Sequence, residues 1–218
     1  MMMNLFSVFD PCTGFFSLNW LSSFFFIFFV PLGFWTCSGS MMLFLNFLLS
    51  FFYSEISNLT NYLSSILFFI SLFIYIMVLN LVGLIPYIFT CSSHLVFSMG
   101  LSLPFWFGLM FFGWINNLNL MFVHLVPIGT PYLLMPFMVL IETISNFIRP
   151  FSLAVRLSAN MIAGHLLMSL LGSSTSSNLY FFVLFSFVFF MIFIFEFSVA
   201  VIQSYVFVTL GVLYSSEV

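Results

Sequence analysis

The sequence predicts an all-α integral membrane protein. Its expected architecture is about five membrane-crossing helices plus one interfacial helix, with the last two long, steeply tilted and paired as an antiparallel hairpin. Three observations predict this. First, of 218 residues 64% are hydrophobic and only 3% charged, whereas a soluble domain of this length carries roughly a quarter charged residues. Second, apolar runs long enough to cross a hydrocarbon core about 30 Å thick recur along the chain, bounded by Pro, Gly and Ser/Asn clusters. Third, the final two runs are far longer than one upright crossing needs, and they carry ionisable residues. No repeat, linker or composition shift divides the chain, so residues 1–218 read as one integral membrane domain.

Taken in order, residues 15–34 form the first candidate crossing, and residues 36–40 read as a turn. In residues 41–57 and just beyond, Asn46, Ser50, Ser54, Asn58 and Asn61 recur at three- and four-residue intervals, one polar stripe on a helix. A helix lying in the interface fits that stripe better than a crossing. Residues 66–85, closed by Pro86, and residues 95–114 form a hairpin of crossings, with Pro104 tolerable because neighbouring helices satisfy freed carbonyls. His124, Pro127, Gly129, Pro131 and Pro136 make residues 116–136 read as a connection. Residues 137–171 then run without a strong break except Pro150, and such a helix spans about 52 Å. It must tilt, bend at Pro150 or protrude. GSSTSSN at 172–178 reads as a turn, and residues 179–213 as the second overlong helix.

The remaining features exclude other classes. Cys12, Cys37 and Cys91 lack the spacing of a disulfide framework or metal knuckle and read as apolar filler. With two Arg and no Lys, charge bias assigns no orientation. The opening MMMNLFSVFDPC shows neither a secretory nor an organellar targeting pattern. The match of Asn58-Leu-Thr60 to a glycosylation sequon is ascribed to chance.

Both basic residues, Arg149 and Arg156, fall in the stretch RPFSLAVRLSANMIAGH, which otherwise reads as buried helix. A guanidinium at that depth is costly and marks a functional site. On a helix Glu142, Arg149, Arg156 and Asn160 share one face, whereas His165 lies about 180° round from Arg156. Along the axis Arg156 stands about 21 Å from Glu142 and about 13 Å from His165. Glu196 and Gln203 share a stripe on the last helix, where Ala200 leaves room for a neighbour. Antiparallel pairing brings Gln203 toward the level of Arg156, and matching the depths of His165 and Glu196 requires an offset. Asp10, Glu55 and Glu217 read as solvated, and His94 and His124 as structural or loop histidines. Carboxylates and imidazoles exchange protons, whereas Arg keeps its charge and relays none. A proton path with a fixed charge in its middle is broken there, and protons pass only by riding on a moving partner that bears its own carboxylate. Two alternatives compete: a redox subunit of a respiratory complex, which needs paired histidines for haem, and a structural anchor, which leaves the buried charges unexplained.

The stretch RPFSLAVRLSANMIAGH, with VPIGTPYLLMPFMVLIETISNFI upstream and EFSVAVIQSYVF downstream, closely resembles subunit a of the F-type ATP synthase in its mitochondrial form. The opening NLFSVFDP and the ending YSSEV resemble the arthropod version. The resemblance implies a proton-translocating subunit that carries no ATP site and needs no cofactor or metal. It implies a multi-pass protein of the mitochondrial inner membrane, and the Phe, Met, Ser and Asn excess suits an organelle-encoded gene. Its implied partners are the c-subunit ring, other membrane and peripheral-stalk subunits, the bilayer and protons; no nucleic acid is implied. Arg156 matches the arginine that faces the ring carboxylate. Asn160, Gln203, His165 and Glu196 match the inlet half-channel from the intermembrane space, and Glu142 matches the outlet carboxylate toward the matrix. Arg149 is secondary.

Overall fold

A computed structural model describes residues 5–12, 16–24, 27, 39–60, 63–126, 129–175 and 179–217. All regular structure among them is helical. The helices are α1 (Ser40–Leu59), α2 (Leu63–Gly83), α3 (Leu95–Asn116), α4 (Leu118–His124), α5 (Met135–Thr175) and α6 (Leu179–Glu217), with 3-10 turns at Leu5–Phe9, Leu18–Phe24 and Cys91–Ser93. By length and composition five of them, all but α4, suffice to cross a membrane.

These elements form because lipid leaves backbone groups no partner but each other. The many serines do not weaken them. Ser50, Ser54, Ser71, Ser145, Ser169, Ser198 and Ser204 each donate to the carbonyl three residues back, so the hydroxyls are satisfied within their own helix. α2 stops at Gly83, and the chain reverses over Leu84–Thr90 with Tyr87 at φ 70 in the left-handed region.

α6 lies along α2 and α5, and α5 lies between α6 and α3. The shared core is Ile56 of α1; Ile66, Phe69, Phe73 and Ile76 of α2; Leu153 and Leu157 of α5; and Phe207, Val208 and Val212 of α6. Gly211 sets how closely α6 approaches. A methyl there would stand 3.1 Å from Phe105 and 3.2 Å from Phe69, whose rings meet edge-on at 5.5 Å.

Several sequence expectations change. The connection at residues 116–136 contains the short helix α4, held by an edge-on contact of Trp114 with Phe122, and α5 starts at Met135, before Pro136. Pro belongs in a first helical turn, where its missing N–H is not needed. α5 runs through Pro150 to Thr175, so the start of the expected turn at 172–178 is helix; residues 176–178 lie outside the described residues. Residues 18–24 are a 3-10 turn, and most of the expected crossing at 15–34 lies outside the described residues, as do 36–38 of the first turn. α1 exposes Asn46, Ser50, Ser54 and Asn58 of the predicted stripe, and Asn61 lies outside the described residues. Glu55, expected at a solvated position, accepts a hydrogen bond from the Tyr205 hydroxyl of α6 at 3.3 Å at an exposed site.

Candidate functional site

α5 has two unlike faces because its apolar and small residues alternate with the helix period. Leu153, Ala154, Leu157, Ser158 and Met161 are buried against the bundle. Ser152, Arg156, Ala159 and Ala163 form an exposed stripe. Arg156 makes no ion pair or hydrogen bond with any described residue. Its guanidinium therefore stands on a membrane-length helix beside small residues that admit a close neighbour. Asn160, half-buried, sits one turn further on.

His165 is turned inward. Its Nε2 is buried with no hydrogen-bond partner, and the Phe9 ring meets it edge-on at 6.4 Å. The Glu196 carboxylate, on a residue only 5% exposed, rests against Gly164 so closely that a methyl at position 164 would overlap it. Glycine is thus required next to His165 because a carboxylate from α6 occupies the space a side chain would fill. This contact brings His165 and Glu196 to one level, supplying the offset the sequence demanded.

The same register places Gln203, half-buried, level with Arg156 and Leu157. Ala200 is fully buried, and its carbonyl accepts from Asn80 Nδ2 of α2 at 3.4 Å. Asn80 is itself fully buried with Oδ1 unpartnered. The sequence reading missed it. Its signal was an amide near the end of an apolar run, which one-dimensional periodicity treats as a helix end.

Toward the other end, Glu142 and Arg149 come together. Arg149 Nη2 stands 3.9 Å from Glu142 Oε1, and its guanidinium lies 5.0 Å from the centre of the Tyr214 ring. Both border a cavity of about 770 Å³ walled by Trp106, Trp114 and Phe147 and also reached by Asn146 and Tyr214. Asn146 and Tyr214 were not singled out from sequence, although Asn146 lies one turn after Glu142 on the same face. His124 ends α4.

The molecule thus holds proton-exchanging groups at two depths on either side of a permanent charge. Of the two histidines whose side chains are described, His165 meets Phe9, and His94 meets Trp20 and Phe89, so these two do not face each other as a pair of haem ligands would. Residues 12–216 match the family model described as "ATP synthase A chain". The chain is 50% identical over 225 residues to "ATP synthase subunit a" of Anopheles gambiae, 51% over 223 to that of Drosophila melanogaster and 50% over 227 to that of Locusta migratoria, each covering the whole of both chains.

Proposed function

The chain belongs to the ATP synthase A chain family, a component of the membrane sector of the F-type ATP synthase, and on that premise we propose that it is the stationary proton conductor of that sector. It works against a rotating ring of c subunits in the mitochondrial inner membrane, alongside the other membrane and peripheral-stalk subunits. One observation carries this reading: Arg156 is exposed and unpaired among the described residues on a stripe of small side chains, with His165 and Glu196 on one axial side and Glu142 on the other.

A proton enters by His165 and Glu196, with Asn160 and Gln203 lining the approach, and neutralises a ring carboxylate. Neutral, that carboxylate travels through lipid, because burial of the charged form is what the bilayer opposes. On returning it meets Arg156, whose charge favours the carboxylate form, and the released proton leaves past Glu142. Arg156 itself binds no extra proton and so keeps the two half-paths from joining. The driving force is about 2.3 kcal/mol per proton per 100 mV, plus the pH difference. The chain supplies no ATP site; it supplies the path.

Replacement of Arg156 by Ala in the assembled complex is expected to abolish proton-driven ATP synthesis and to open a passive leak. Retained synthesis in that variant would contradict the reading.

A further inference from the structure

The cavity beside Glu142 has two unlike walls. One belongs to α5 and α6 and carries the polar groups Glu142, Thr143, Asn146, Arg149 and Tyr214. The other, from α3 and the segment after it, is apolar: Leu109, Met110, Met121 and Leu125 line it together with Trp106 and Trp114. Aromatic rings make part of the lining continuous. Phe147 of α5 tilts against Trp106 at 5.8 Å, Phe107 meets Trp106 edge-on at 5.6 Å, and Phe111 follows Phe107 at 6.4 Å. Trp106 is buried, whereas Phe107, Phe111, Trp114 and Phe147 are exposed, so the cavity opens to the outside of the bundle. Around helices of membrane length, that outside is lipid.

Three residues place its mouth at a membrane boundary. Trp114 is two residues from the end of α3, Tyr214 is three from the end of α6, and the Arg149 guanidinium lies 5.0 Å from the centre of the Tyr214 ring. Trp and Tyr gather where lipid meets water, and Arg extends its charge toward that level. From the end of α3 at Asn116 back to Trp106 is ten residues, about 15 Å along the helix. That is half of a hydrocarbon core about 30 Å thick, the depth of one leaflet. The lining then sets what fits. Met110 and Met121 adapt their shape to what they touch, which suits a flexible apolar chain. At the mouth, a guanidinium has five N–H donors in a planar fork, so Arg149 can hold an anion as well as Glu142 at 3.9 Å.

We propose that this cavity binds one phospholipid of the adjoining leaflet, with an acyl chain lying along α3 and α4 toward Trp106 and the phosphate held by Arg149. The bilayer supplies that anion already joined to a chain of the required reach. A filled cavity leaves only the α5 wall, and hence Glu142, to water. This last consequence rests on reading Glu142 as the outlet; the binding itself does not.

The test uses the complete ATP synthase in phosphatidylcholine liposomes that contain a trace of phosphatidylcholine with a photoactivatable diazirine midway along one acyl chain. After illumination the labelled residues are located by peptide mass spectrometry. Binding predicts label around Met110, Met121 and Leu125. In Met110→Trp, whose ring fills the space, the label at Met121 and Leu125 should fall several-fold; if that variant does not assemble, Leu125→Trp read at Met110 decides in the same way. A diazirine-bearing diacylglycerol has the chain without the phosphate and should label the wild type several-fold less. Arg149→Gln should bring phosphatidylcholine down to the diacylglycerol level. Absence of label from the cavity in the assembled complex means that a protein segment fills it and overturns the proposal. Label unchanged by the filling variant, or equal labelling by the two lipids, overturns it as well. Proton flux in Glu142→Gln is measured separately: wild-type flux there sinks the outlet reading and leaves the labelling result standing.

Discussion

Arg156 carries a charge that lipid alone would exclude, since a guanidinium at the bilayer centre costs about 2.5–3.5 kcal/mol on insertion scales. It stands exposed beside Ser152, Ala159 and Ala163, which is reasonable only if another helix with a complementary charge passes close by. Ala159→Leu should therefore keep the charge but obstruct that approach, lowering proton-driven synthesis while ATP hydrolysis by the catalytic head continues. Equal synthesis in the two proteins would show that nothing approaches there. Gly164→Ala should fail for a different reason, since its methyl overlaps the Glu196 carboxylate. Overpacking of this kind costs about 1–3 kcal/mol, to be read as a lowered dissociation temperature together with reduced proton conductance. Glu196→Gln keeps the shape and removes the exchangeable charge, so it should slow proton uptake with little change in assembly. The charges were legible in the sequence, because an Arg in an apolar helix is anomalous on its face. Gly164 was not, because its role depends on where a residue 32 positions later lands.

α5 and α6 work as a pair whose antiparallel register is held from Gly164 against Glu196 to Arg149 against Tyr214. Ala200 is the point where α2 closes on that pair. Ala200→Leu should push α2 away, break the Asn80 contact and destabilise the subunit by about 1–3 kcal/mol, measured as earlier thermal dissociation of the complex. An unchanged transition would show that α2 is free to yield. Loss of Arg149 should matter less, because its pair with Glu142 is long and about a third exposed. Such pairs contribute about 0–1 kcal/mol. Apolar run length predicted the long helices, since lipid enforces backbone pairing wherever the run continues. The same logic failed at α4 and at Pro136. Gly and Pro marked a connection there, but Pro is compatible with a first turn, and aromatic contacts between Trp114 and Phe122 are tertiary. Pairing of Glu55 with Tyr205 was hidden for the same reason: 150 residues separate the partners.

Seen whole, the molecule has chemically unlike ends joined by one exposed charge. One end has a cavity of about 770 Å³ bordered by Glu142, Arg149 and Tyr214. The other has Glu196 and His165, whose Nε2 has no partner among the described residues and whose ring meets Phe9 edge-on. Between them only the outer face of α5 is accessible to Arg156, so the account stands or falls on what faces that side. Single cysteines at position 159, on the Arg156 face, and at position 165, on the inward face, can be tested for disulfide crosslinking to a cysteine placed beside the ring carboxylate. The account predicts a crosslink from Ala159→Cys and none from His165→Cys. The reverse result would place the moving partner on the other side of α5 and contradict the division of the proton path at Arg156.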